Sequence, residues 1–202
     1  MATLDDILKW LSSGSDKAGS LIDLKWNIKK AGDYIALQND KIPFDIFLYV
    51  GGERKNLNLI VRTGIETATI ENQPRLTIYR TLLILNEKIE LVKFMLEGIN
   101  EEVIAREDFD ISALTRDVLN AGLNTILAAF YLMVRALNLE DEFNSGIIER
   151  TTMMIREMAK AGKTRDEIKS YLISSLGLND RDADKLIAEV LDANSPPKNM
   201  YE

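Results

Sequence analysis

Two pairs of carboxylates are spaced closely enough in this chain to do chemistry. Asp108 and Asp110 stand two residues apart, and Glu101 and Glu102 are adjacent. In an acid-base pair, one carboxyl would donate a proton while the other accepts one. Ser174 and Ser175 near Lys169 offer a second arrangement, a hydroxyl nucleophile with an amine as its base. Neither has the further group that such chemistry leans on. The chain contains no His and no Cys. That removes the commonest general base, the Ser-His-Asp triad, thiolate nucleophiles, disulfides and almost every zinc site. There is no Gly-rich phosphate loop, dinucleotide fingerprint or Asp-rich calcium loop. The carboxylates therefore read as solvated hairpin ends and a helix cap, and the serines as positions on a short exposed helix. The expectation is a protein that is not an enzyme, with no catalytic residue, metal or cofactor.

Composition sets wider bounds. At 202 residues the chain fits one domain, or one domain with a small appendage, and can bury about 70% of its unfolded surface without covalent staples. Hydrophobic residues at 46% and charged residues at 28% are those of an ordinary globular protein. A net charge of -7 argues against nucleic acid as a partner, because phosphates are bound through a basic face. The start "MATLDDILKWLSSGS" lacks the basic and apolar regions of a signal peptide. The longest apolar run, Ile126 to Val134, is nine residues, against the ~20 that span a bilayer. A cytoplasmic protein with no membrane association is expected.

The elements that would position any surface follow from periodicity. Leu4, Ile7, Leu8 and Leu11 share one face of a short opening helix, and "SSGSDKAGS" is a loop. The stretch from Leu21 to Gly32 scans as strand or helix, with the alternation of Ile22, Leu24, Trp26 and Ile28 favouring strand. "DYIALQN", "FDIFLYV" and "NLNLIVRT" alternate apolar and polar residues, as strands of a half-buried antiparallel meander do. Gln73 to Asn86 is helical in period. In "LNEKIELVKFMLEGINEEVIARED" the period then changes: Val92, Phe94 and Leu96 alternate with Lys93 and Met95. Gly98 and Asn100 interrupt as turn formers, so a hairpin of Ile89–Leu96 and Glu101–Glu107 is expected instead of a continuing helix. Asp110, or Ser112, would cap a long helix from Ile111 to Leu137. "NLEDEFNSG" reads as a domain boundary, followed by three short helices starting near Ile147, at the capping box "TRDE" and at Asn179. "NSPPKNMYE" carries no packing signal and reads as a disordered tail.

The string "LLILNEKIELVKFML" (Leu82 to Leu96) is a helix ending in Leu-Asn, a short gap, then a strand reading Val-Lys-Phe-x-Leu. Set in the order helix, three-strand meander, helix, hairpin, long helix, it resembles the YbjN family, whose fold is shared with the specific chaperones of type III secretion. The resemblance covers about 33–137 and implies an α+β fold, frequent dimers and protein binding without catalysis. It supplies no catalytic residues.

The fold class expected is α+β: an antiparallel sheet, three-strand meander plus hairpin, packed with helices, then a C-terminal three-helix appendage. The domains would be 1–138 and 139–193, with 194–202 as tail. Phe47, Tyr49 and Ile60 point away from Leu48 and Leu59 and would form a second apolar patch. Either the N-terminal helix covers that patch, or it is a groove for a peptide. The long helix is apolar nearly all round, so Phe130 and Met133 would pack against the C-terminal helices or a second subunit. The functional expectation is a chaperone-like protein-binding module, its client unknown, acting as a homodimer. The alternative is a transcriptional regulator whose C-terminal helices bind DNA. Against it stand nine Lys and Arg facing thirteen Asp and Glu from Glu140 onward, a net of -4.

Overall fold

The computed structural model describes residues 2–51 and 56–192. The chain divides into two compact units, Met1–Glu140 and Asp141–Glu202. The tail expected at 194–202 lies outside the described residues.

The first unit opens with α1 (Leu4–Ser12). Asp6 donates its backbone N–H to the Thr3 hydroxyl at 3.2 Å, and Thr3 donates its own N–H to the Asp6 carboxylate at 2.9 Å. Two orphan donors are thus satisfied reciprocally. A 3₁₀ turn at Leu21–Asp23 precedes β1 (Asn27–Ala31), so the strand favoured from Leu21 begins only at Asn27. Ile22, Leu24 and Trp26 are nevertheless buried while Lys25 is exposed. Their alternation reports a chain laid against the core without a ladder of hydrogen bonds.

The strands β2 (Tyr34–Gln38), β3 (Ile46–Gly51) and β4 (Asn56–Glu66) form the meander, and Phe44 lies just ahead of β3. α2 (Asn72–Lys88) stops where the apolar period changes. The hairpin β5 (Lys93–Glu97) and β6 (Glu102–Asp110) turns through Gly98 at φ 70° and Glu101 at φ 53°. All six strands are antiparallel, in the order β1-β2-β3-β4-β6-β5. The architecture is α+β.

β6 runs through to Asp110 and is followed by a 3₁₀ turn at Ile111–Ala113; α3 spans Arg116–Ala136. The cap expected at Asp110 or Ser112 is a correction: Asp110 accepts the Ser112 N–H of the 3₁₀ turn, and Thr115 caps α3 through the Val118 N–H. By length and composition α3 could cross a membrane, but half of its apolar window is buried inside the protein.

Register determines which side of the sheet is core. Ile46 pairs with Val61 and Leu48 with Leu59, which pairs with Glu107. These residues, with Leu37, Leu57, Val103 and Ala105, are nearly inaccessible on one face. α3 packs against β4 and β6 there and contacts α2. α1 starts on the same side, where Thr3, Leu4, Val50 and Ile111 line a cleft of about 590 Å³. The first unit is therefore two layers, helices on one face of a sheet.

The string that carries the family resemblance is a clasp on the sheet's edge. Phe94 of the edge strand β5 donates its N–H to Asn86 Oδ1 at 2.7 Å, and Asn86 Nδ2 donates to the Phe94 carbonyl at 3.0 Å. Lys93 Nζ donates to the carbonyls of Asn86, at 2.8 Å, and Ile89, satisfying the end of α2. A side-chain amide thus replaces the missing neighbour strand at one point.

The second unit holds α4 (Glu140–Lys160), α5 (Arg165–Leu176) and α6 (Asp180–Asp192). The helix start expected near Ile147 is a correction, since the stretch "NLEDEFNSG" is helical from Glu140 and Gly146 lies inside α4. Acidic residues in a first turn favour a helix start, and one interior glycine costs only about 1 kcal/mol. Thr164 and Glu167 form the expected capping box, and Gly177 ends α5 at φ 71°. Ile155, Ile168, Leu172, Ala183, Ile187 and Val190 make this unit's core.

Replacing Asn86 by Ala removes both bonds to Phe94 and should lower stability to urea unfolding by about 1–3 kcal/mol. It should also raise concentration-dependent association through the reopened edge.

Candidate functional site

The face of the sheet opposite α1, α2 and α3 is the candidate site. Tyr34 stands opposite Tyr49 on the neighbouring strand, and Phe47 opposite Ile60. The Tyr34 and Tyr49 rings lie 5.2 Å apart, and Phe47 meets Tyr34 edge-on at 6.4 Å. All three rings are half-buried, while Ile60 and Ile104 are 2% and 3% exposed and form the floor between larger neighbours. Of the residues expected here, Phe47 and Tyr49 thus present surface, and Ile60 supports them. α1, which could have covered the patch, lies on the other side.

The rim is charged, and its charges are mutually engaged. Arg62 binds Glu97 and Glu102, the latter at 2.7 Å, with its guanidinium 5.7 Å from the Tyr34 ring centroid. Burial works against the Arg62 charge, but Glu102 and Glu97 outweigh it and hold the group more firmly protonated. Arg106 donates to both oxygens of Asp108, at 2.6 and 3.2 Å, and Asn58 donates to the same carboxylate at 2.5 Å. The face is thus a patch of aromatic rings inside a ring of satisfied ion pairs.

The catalytic drawings are not assembled. Asp108 is bonded to Arg106 and Asn58, and Asp110 to the backbone at Ser112. Glu101 accepts the Tyr79 hydroxyl at 2.6 Å, and Glu102 holds Arg62. Lys169 binds Asp180 and Asp184, at 2.9 and 2.7 Å, and Ser174 donates to the Tyr171 carbonyl at 3.4 Å.

On α3, Phe130 and Met133 are 5% and 1% exposed. Phe130 stacks on Phe44 at 4.2 Å. The large apolar residues that this helix exposes are instead Val118, Tyr131 and Leu132.

Tyr34, Arg62 and Glu107 escaped the sequence reading. Tyr34 belongs to the aromatic patch, and its place opposite Ile35 and Leu37 in "DYIALQN" was the available signal. Glu107 faces the core in phase with Val103 and Ala105, 2% exposed, with its Oε2 bonded to nothing. Desolvation, with Asp108 adding to it, pushes its carboxyl up to about 7. Gly122 of α3 lies over it: a Cβ there would stand 3.3 Å from Glu107 Oε1 and 2.3 Å from Phe109 Cζ.

Residues 6–137 match the family described as Domain of unknown function (DUF8183). The chain belongs to this family. Residues 138–202 match a second domain of unknown function, designated HTH_78. No curated protein matches. Among solved structures, the chain is similar to E. coli YbjN, described as a candidate transcription regulator, at 12% identity and TM-score 0.49, covering 69% of this chain and 94% of that one. It is similar to an uncharacterised Methanothermobacter thermautotrophicus protein at 15% identity and TM-score 0.48, covering 66% and 95%. Against the ExsC–ExsE complex the identity is 17% and the TM-score 0.43, covering 66% and 95%. YbjN is the group that Leu82–Leu96 resembles.

Gly122→Ala should destabilise the protein by about 1–3 kcal/mol in urea unfolding, because the added methyl meets the Phe109 ring. Adding Phe109→Leu to that variant should recover part of the loss.

Proposed function

We propose that this chain is a non-enzymatic, chaperone-like protein-binding module whose sheet receives a segment of a client polypeptide on the face of Tyr34, Phe47 and Tyr49. The observation that carries this reading is the aromatic patch itself, half-exposed on a sheet whose helices α1–α3 all lie on the other side. Rings supply large contact area at little cost in conformational entropy, which is why they anchor protein interfaces. The resemblance of Leu82–Leu96 points to the same class. We place the module in the cytoplasm and keep the division at 138 and 139 as its domain boundary.

We further propose a homodimer. Phe130 and Met133, buried as they are, serve packing, and α2 offers the apolar surface. Leu76, Leu83 and Ile84 are 58%, 68% and 45% exposed, and with Tyr79, Arg80 and Glu87 they line a shallow depression of about 580 Å³. Covering each large side chain would contribute ~1.5–3 kcal/mol.

A second reading, a DNA-binding regulator, has one specific support: the designation of the 138–202 match stands for helix-turn-helix. The charge of α6 opposes it. Asp180, Asp182, Asp184, Glu189 and Asp192 outnumber Arg181 and Lys185, and Lys185 lies 3.8 Å from Glu189. A helix presented to phosphates is expected to carry the opposite balance.

Affinity capture from the source cell, run beside a Phe47→Ser/Tyr49→Ser variant of unchanged urea stability, should recover a protein client with the native chain and lose it with the variant. Equal recovery by both would sink the reading, and recovery of nucleic acid would favour the regulator. Light scattering should give twice the chain mass for the native protein and a single chain for Leu83→Glu. A native chain that stays monomeric at high concentration would remove the dimer.

A further inference from the structure

We propose that Glu107 makes the closure of α3 on the sheet pH-sensitive, the helix lying closed when this carboxyl is neutral and loosening when it ionises. The geometry comes from three residues. Glu107 sits on the core face of β6 opposite Leu59, 2% exposed, and its Oε2 has no hydrogen-bond partner. Gly122 brings the α3 backbone down over it, since a Cβ there would stand 3.3 Å from Oε1. Around that point α3 presents Leu119, Leu123 and Ile126, all fully buried. A carboxylate in this layer loses its water and gains no donor in return.

The surrounding charges are committed elsewhere. On β6, Asp108 repels the ionised form, and Arg106 is bound to Asp108. On β4, Asn58 donates to Asp108 and Arg62 holds Glu97 and Glu102. On β5, Lys93 is spent on the carbonyls at the end of α2. From α3, Arg116 pairs with Asp23, and Asp117, also in the first turn, is a like charge. On α1, Asp6 is held by the Thr3 cap.

The carboxyl stands near 4.5 in an open chain and is pushed up to about 7 here, so the folded state holds this proton more tightly than the unfolded one. Its contribution is fully present below about 4.5 and is lost as the pH climbs toward 7. Above that, the buried charge is a constant penalty. Between the two values, the unfolding equilibrium of the native protein should shift by up to about tenfold per pH unit relative to a form that cannot ionise.

The test is urea unfolding of the full chain and of Glu107→Gln from pH 4.5 to 8.5. The native midpoint should fall relative to the variant between pH 5 and 7, the gap then staying constant. Parallel curves would overturn the proposal. If the variant does not fold, NMR titration of the Glu107 side-chain carbonyl carbon in the native protein decides instead. A midpoint near 7 with exchange broadening of α3 amides supports the proposal. A midpoint near 4.5, or ionisation that leaves α3 unchanged, overturns it.

Discussion

The pairing of β4 with β6 is the constraint on which the rest of the first unit depends. Asn56 to Arg62 align with Asp110 to Ile104, strands separated in sequence by α2 and the first half of a hairpin. This long-range ladder places β5 at the sheet's edge, where Asn86 can reach it, and leaves β1 as the other edge. It also fixes phase. Side chains alternate across a strand, so a slip of one residue would turn Leu57, Leu59 and Val61 outward and bring Asn58, Ile60 and Arg62 beneath α3. The Asn58 and Arg62 heads would then be buried where α3 now meets leucine and valine. The phase that hides Leu59 is the same one that aligns Phe47 with Ile60 on the open face, so the core and the candidate site are set together.

Much of this was legible because local signals and tertiary pairing agree. The change of period after Asn86 gave the hairpin, since the two periods, 3.6 and 2, cannot both bury Val92 and Phe94. The capping box at Thr164 and the glycine at 177 gave α5. What misled was chemistry shared by different structures. Asp110 and Ser112 suit a helix cap, yet the same Asx geometry closes a 3₁₀ turn, and the α-helix waits for Thr115. Leu21 to Trp26 alternates as a strand does because burial on one side demands alternation whether or not a neighbour strand is present. The acidic run at Glu140 looked like a loop, although negative charge at a helix start complements the helix dipole. For the candidate site, Phe47 and Tyr49 were readable from alternation alone. Tyr34 and Arg62 were not singled out, because their membership depends on which strands become neighbours, and that is decided by register.

The partition of polar groups between the two faces follows from the same phase. On the open face, each charged head that must stay near apolar rings has a partner: Arg62 with Glu97 and Glu102, Arg106 with Asp108. On the covered face, Glu107 has none, and Gly122 is what allows a helix to close over it at all. A larger residue at 122 would hold α3 away and let water reach the carboxyl, trading helix–sheet packing for solvation. The close approach therefore has a cost that the surrounding apolar burial must exceed.

The paired rim also shapes what the open face can select. Long side chains lose rotamer freedom when they are immobilised at an interface, a cost of about 0.5–1.5 kcal/mol each. Arg62, clamped between two carboxylates and over the Tyr34 ring, has lost that freedom before any partner arrives. The same pairing leaves little unbalanced charge at the rim to steer a charged partner from a distance. On the reading proposed above, selection on this face rests on how a segment fits around Tyr34, Phe47 and Tyr49. That favours an apolar stretch of polypeptide over a highly charged one, in keeping with a face whose ionic groups are already satisfied by one another.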